Sequence, residues 1–289
     1  MIKTPQLALL LGIGVLFLTA NAQAITVNDD EFRSFTLSAP AERIVSLAPH
    51  ATEILFDIGA QDRILATVAY ADYPSPARAL PRVGDYNALN LEAILALQPD
   101  LIIAYPGGPT RPDVDRLVDL GMTVFFSDPQ SLDEIAQTLR HFGILTGHER
   151  QAERKAARFE QGMTALGAEY SNRTELRVFY EVWHDPFYTL NGDNFISHIL
   201  GLCGARNVFA DLPMTAPQVS LEAIVAQDPD VIATSLQRAG SDSHWYQRPQ
   251  MKAVRNQALV GVDPDVMHRP TPILLSGARQ LCADLDKHR

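Results

Sequence analysis

His184 is followed directly by Asp185, and Asp265 stands three residues before His268. Either pair has the types needed for acid–base chemistry: an imidazole that titrates near neutrality and a carboxylate that could orient it. Such chemistry also needs a nucleophile, a phosphate cradle or a metal to act on. The sequence contains no Gly-x-Ser-x-Gly, no Gly-x-x-x-x-Gly-Lys and no His-Glu-x-x-His. Its eight histidines keep no metal-ligand spacing, and the two cysteines form no Cys-x-x-Cys. Neighbouring polar residues arise by chance in most chains. The sequence therefore assigns no catalytic residue and no metal ligand, and it points to a binder. An exported metal-dependent hydrolase is the remote alternative, and it would need clustered ligands that are not there.

The chain starts with Lys3, an apolar run from Leu7 to Leu18, and Ala22-Gln23-Ala24. That order is a secretory leader with a small-x-small cleavage site, expected to span residues 1–24. The apolar run is short for a membrane span, which needs roughly 20 residues. No cysteine follows it, which argues against a lipoprotein. Export makes Cys203 and Cys282 candidates for a disulfide. The formal net charge of −10, with a leader that contributes one lysine, argues against a nucleic-acid partner.

The elements that must position any site are written in a repeated phrase. "NLEAILALQPDLIIA" runs from Asn90 to Ala104, and "SLEAIVAQDPDVIAT" from Ser220 to Thr234. In each, an N-cap residue precedes a helix with Glu92 or Glu222 in its first turn, where a carboxylate suits the helix dipole. Pro99 and Pro229 end the helices, and short apolar strands follow, read as buried parallel strands. Further strand and helix signals flank both copies, predicting two α/β lobes. Between them, Ala152, Ala156, Phe159, Met163, Leu166 and Tyr170 alternate steps of four and three. That spacing is one amphipathic helix, read as a strut. The expected organisation is a first lobe over 25–146, a linking helix over 147–172 and a second lobe over 173–289.

"RIVSLAPHATEILFDIGAQDRILATVAYADYP", followed by "PRVGDYNALNLEAILALQPDLIIA", resembles the periplasmic cobalamin-binding proteins of bacterial vitamin uptake. The likeness continues through "APQVSLEAIVAQDPDVI", "HRPTP" and "ARQLC" and covers nearly the whole mature chain. The resemblance implies a class III periplasmic binding protein: two α/β lobes joined by a single long α-helix, with the ligand cleft between them. It implies a periplasmic monomer without enzymatic activity that carries cobalamin, or a related corrinoid, as transported ligand and not as a catalytic cofactor. The loaded protein would dock on the permease subunits of an ABC importer through Glu92 and Glu222, one acidic knob on each lobe.

The same resemblance places ligand contacts at Tyr70, Tyr86, Asp265, Val266, Met267, His268 and Arg269. Val266, Met267 and His268 replace two aromatic places and one acidic place of the best-known member, which leaves that side less aromatic. Trp183, at the end of "VFYEVW", is expected to compensate. The physics fits the ligand: a corrin is a broad, partly apolar disc fringed by amides. Tyr and Trp offer flat apolar area with a polar tip, and Arg269 can donate to amide carbonyls. A haem or ferric-siderophore receptor of the same architecture is the alternative. An anionic siderophore should draw several cations to its cleft, and the loop around Arg269 supplies one.

Overall fold

The computed structural model describes residues 24–240 and 242–289, so the expected leader lies outside the described residues except for Ala24. A short antiparallel hairpin comes first, β1 (Ile25–Asn28) with β2 (Ser34–Leu37), burying Val27 and Phe35.

The first lobe then alternates strand and helix. It runs β3 (Ile44–Ser46), α1 (Pro49–Asp57), β4 (Ile64–Ala66), α2 (Leu91–Ala96), β5 (Leu101–Ala104), α3 (Arg111–Asp119), β6 (Val124–Phe126) and α4 (Leu132–Thr146). Its strands form an all-parallel sheet in the order β4-β3-β5-β6. Every residue of β5 is buried, as expected of a parallel strand covered on both faces.

A 22-residue helix, α5 (Glu149–Tyr170), leads out of this lobe. The second lobe runs β7 (Leu176–Tyr180), β8 (Trp183–His184), β9 (Phe187–Tyr188), α6 (Phe195–Leu202), β10 (Ala205–Asn207), α7 (Leu221–Gln227), β11 (Val231–Ser235), α8 (Lys252–Arg255), β12 (Leu259–Val262), α9 (Pro264–Met267) and α10 (Leu274–Asp286). Its main sheet is also parallel, in the order β10-β7-β11-β12. Both sheets thus place their second strand at an edge, then the first, third and fourth.

The repeated phrase is the unit that builds the third strand of each sheet. The Asn90 side chain accepts from the Ala93 N–H at 2.9 Å, and Ser220 from the Ala223 N–H at 3.2 Å. Each copy then turns through a left-handed residue just before its proline, Gln98 (φ 46°) and Asp228 (φ 39°). A non-glycine residue held there is uncommon, and both copies hold one at the same point.

The stripe read from the sequence is the buried face of α5, all six residues of it. At about 1.5 Å per residue the helix is roughly 33 Å long, enough to span both lobes. It packs on α4 of the first lobe and on α6 and α10 of the second. Gly162 and Gly167 lower its helix propensity but serve that packing. A Cβ on Gly162 would come within 2.3 Å of Leu275 on α10, and one on Gly167 within 2.9 Å of Leu202 on α6. One apolar core consequently runs from the first lobe along α5 into the second. Smaller cores cover the other face of each sheet.

Cys203 and Cys282 are joined by a disulfide, S–S 1.98 Å, that ties the end of α6 to α10. No helix among the described residues is long and apolar enough to cross a membrane.

Candidate functional site

In open parallel sheets, ligands bind beyond the carboxyl ends of the strands, where the chain order reverses. Here the reversals fall between β3 and β5 in one lobe and between β7 and β11 in the other. The segments past those ends meet across the molecule. The Thr271 hydroxyl, past β12, donates to Glu53 Oε1 on α1 at 2.5 Å. Arg269 Nη1 lies 4.0 Å from Glu53 Oε2. Glu53 is buried, Oε2 has no hydrogen-bond partner, and burial pushes its carboxyl up to about 7.

Exposed aromatic side chains gather on this side. Among the described residues, and apart from Phe32 in the first hairpin, the exposed aromatic side chains follow a strand's carboxyl end: Tyr70, Tyr73, Tyr86, Tyr105, Trp183 and Tyr246. Tyr70 and Tyr86 lie on the connection from β4 to α2. Tyr70 is 71% exposed and holds a left-handed backbone, φ 66°. A bulky aromatic residue rarely adopts that conformation, which costs of order 1–3 kcal/mol and tends to accompany function. The following segment is fixed by Arg82, which donates to the Asp72 carboxylate at 2.9 Å and to the Ala71 carbonyl at 3.3 Å. Tyr86 sits in a tight turn whose Asp85 carboxylate accepts from the N–H groups of Asn87 and Ala88. Tyr105 stands beside it. A Cβ on Gly107 would come within 2.8 Å of the Tyr105 ring, and one on Gly108 within 3.5 Å of Tyr86. Tyr105 is not among the contacts expected from the sequence, although an aromatic residue straight after a buried strand, followed by Pro-Gly-Gly, is a readable signal.

On the second lobe Trp183 is 52% exposed, with its indole N–H donated to the Asp185 carbonyl at 3.0 Å. The Arg238 guanidinium lies 5.3 Å from its ring centroid, a cation–π distance. His268 is within 3.1 Å of the Tyr180 hydroxyl, and burial, then Arg238, lowers its pKa, so it is neutral near pH 7. Arg269 donates to Asp265 at 2.9 Å. The neighbouring Val266 and Met267 turn the other way. A Cβ on Gly277 of α10 would meet Met267 Sδ at 2.6 Å and Val266 Cγ1 at 2.8 Å. Met267 is 2% exposed, so its expected ligand contact gives way to core packing. The single turn of α9 decides this, because it sends successive side chains to different sides.

Neither acid–base pair is assembled. His184 Nδ1 faces Arg238 at 3.2 Å and not the Asp185 carboxylate, and Asp265 holds Arg269 and not His268. Among the described residues no three His, Cys, Asp or Glu side chains are placed to hold a metal. Glu92 and Glu222 are exposed, one in the first turn of α2 and one in that of α7. The Glu222 carboxyl is held below the usual range by a bond from its own backbone N–H and by Ser220.

The comparison with known proteins agrees with this architecture. The vitamin B12-binding protein of Vibrio cholerae serotype O1 is 37% identical over 248 residues, covering 85% of this chain and 90% of that protein. The crystal structure of the periplasmic vitamin B12-binding protein BtuF of Vibrio cholerae superposes with a TM-score of 0.80 at 36% identity, covering 86% of this chain and 98% of that one. The haem-binding protein HutB of Vibrio cholerae, at 21% identity and a TM-score of 0.73 over 84% of this chain and 98% of that one, shares the fold alone. The family model for periplasmic binding proteins matches residues 44–266, which takes in both sheets and the helix between them. The chain belongs to the periplasmic binding protein family.

Proposed function

We propose that this protein captures cobalamin in the periplasm, in the cleft between its lobes, and delivers it to an inner-membrane ABC importer, without catalysing a reaction. The observation that favours a corrinoid over an anionic chelate is the charge balance of the second lobe's face. Arg269 is paired with Asp265, and Arg238 with Glu181 at 3.0 Å. Both remain donors, but neither adds net positive charge. A neutral disc fringed by amide carbonyls suits such a face better than the carboxylates of haem or the anionic donors of a ferric siderophore. In this reading Tyr70, Tyr86 and Trp183 supply flat contact area, and Arg269, Asp265 and His268 line the rim. Cobalt needs no ligand from His268, whose Nε2 is engaged by Tyr180. The boundaries 25–146, 147–172 and 173–289 are the natural division, with cleavage after Ala24 releasing a monomer.

Calorimetry with cyanocobalamin, cobinamide, haem and a ferric siderophore tests the reading. Cobalamin should bind tightest, and a stronger response to haem or siderophore would replace it. In the same assay Tyr70→Ala should weaken cobalamin several-fold or more, since an aromatic stack contributes roughly 0.5–1.5 kcal/mol beyond its area. The melting temperature of the free protein should hardly move, because Tyr70 is exposed. Unchanged affinity would remove Tyr70 from the site.

Glu92 and Glu222 support the delivery half of the proposal, being matched, exposed carboxylates on separate lobes. The double substitution Glu92→Ala/Glu222→Ala should leave cobalamin affinity intact and weaken binding to the permease. The cost is often 2–5 kcal/mol where such a pair is desolvated and much less at a wet rim. Uptake into reconstituted vesicles and a transporter pull-down provide the readout. Wild-type delivery by the double variant would return both residues to the role of helix starters.

A further inference from the structure

Glu181 follows the last residue of β7, at the point where the second sheet's order reverses. Its side chain is wholly buried. Oε1 accepts from the Thr234 hydroxyl on β11 at 2.9 Å and from Arg238 Nη1 at 3.0 Å. Oε2 accepts from the Trp245 indole N–H at 2.6 Å, with His244 Nε2 3.6 Å away. Its backbone N–H donates to the Ala233 carbonyl at 2.8 Å. A carboxylate so deeply placed persists only when paired and hydrogen-bonded, and removing its cation is costly. Thr234, Arg238 and Trp245, all within one stretch from β11 onward, thus converge on the carboxylate at the end of β7.

Its cation is differently placed. The Arg238 side chain keeps 22% of its surface exposed, lies against the Trp183 ring and touches His184. It is also close enough to His268 to disfavour a proton there. The guanidinium thus stands against the β8–β9 hairpin, within electrostatic reach of His268. Its hydrogen bonds among the described residues leave from Nη1 alone, out of the five N–H donors a guanidinium owns.

We infer that Glu181 is a positioning and charge-cancelling residue that holds Arg238 beneath Trp183 as an electrically balanced donor, and so sets the cleft's preference for neutral, carbonyl-fringed ligands over anionic ones. The inference rests on the cobalamin reading above. A compensated guanidinium still donates to an amide carbonyl, whereas an uncompensated one attracts carboxylates, phosphates or catecholates. Specificity of this kind is a difference between two affinities, and the buried carboxylate acts on one side of that difference.

Glu181→Gln keeps the shape and an acceptor oxygen but removes the negative charge, exposing the full charge of Arg238. Calorimetry would compare it with the wild type, using cyanocobalamin and a trianionic ferric tris-catecholate as probes. The ratio of cobalamin to catecholate affinity should fall by roughly tenfold or more in Glu181→Gln, and the change should shrink as salt is raised. A purely structural role would lower the melting temperature and weaken both ligands alike, leaving the ratio fixed. A folded Glu181→Gln protein with the wild-type ratio overturns the inference. If that variant does not fold, the double variant Glu181→Gln/Arg238→Met, which removes both charges together, decides the matter. It should bind cobalamin several-fold more weakly, and wild-type affinity would show that Arg238 does not face the ligand. A wild-type protein that ignores cobalamin altogether would instead sink the cobalamin reading, and this inference with it.

Discussion

Replacing both Cys203 and Cys282 by alanine should lower the unfolding free energy by about 4–5 kcal/mol. The bridge closes a loop with a sequence separation of 79, and the chain-entropy model assigns a loop of that size this loss of denatured-state freedom. The loop contains α7, β11, α8, β12 and α9, so most of the second lobe is cross-linked in the unfolded chain. Both sulfurs are buried, and the bridge fastens α10 to α6 while α10 also covers Gly162 of α5. Urea unfolding of the two proteins gives the answer: the midpoint should drop, while the wild-type protein shows no alkylatable thiol when denatured without reductant. A loss below about 1 kcal/mol would mean that the denatured chain is already restricted without the bridge.

The second large effect belongs to Glu53 and depends on pH. Burial at the junction of the lobes raises its carboxyl from 4.5 to about 7, against smaller opposing influences from Thr271 and Arg269, with Asp57 adding to the rise. A raised carboxyl binds its proton more tightly in the folded state. Its contribution to stability is therefore full below pH 4.5 and is lost as pH rises through about 7. Glu53→Gln cannot ionise, so it should gain on the wild type by about 3 kcal/mol between those limits, at 1.36 kcal/mol per pH unit. Asp30, pushed up to about 6, acts in the same direction, and His50, pushed down to about 4, acts in the opposite one. Both are present in each protein and cancel in the difference. Denaturant unfolding at pH 4.5 and pH 8 is sufficient, and a pH-independent difference would mean that Glu53 is solvated in the native state.

What the sequence displays well is whatever repeats at a short period. The stripe from Ala152 to Tyr170 could be read because each residue sees the same environment every turn, and the repeated phrase because its caps, carboxylates and prolines act within a few residues. The capping box at Ser131 and Glu134, which starts α4, carries the same kind of local signal. The hairpin of β1 and β2 has too few alternating positions to stand out. The pairing of Glu181 with Arg238 and Trp245 is invisible for a different reason: it depends on β7 lying beside β11, a long-range register that no local pattern encodes. Met267 illustrates the same limit within one loop. The turn of α9 packs it, with Val266, against Gly277, while His268 next to it lies beside the Tyr180 hydroxyl.

The apolar core that follows α5 from one lobe to the other has a thermodynamic consequence. Two domains with separate cores can melt independently, each answering only to what it binds. Here the lobes share buried side chains along the whole helix, so one cannot lose its packing without uncovering the other. The shared core predicts that the two lobes unfold together, and a ligand that binds only the folded form would then stabilise both through mass action. The helix starts at Glu92 and Glu222 stand outside that shared packing, because Ile94 and Ile224 belong to the smaller cores on the other face of each sheet.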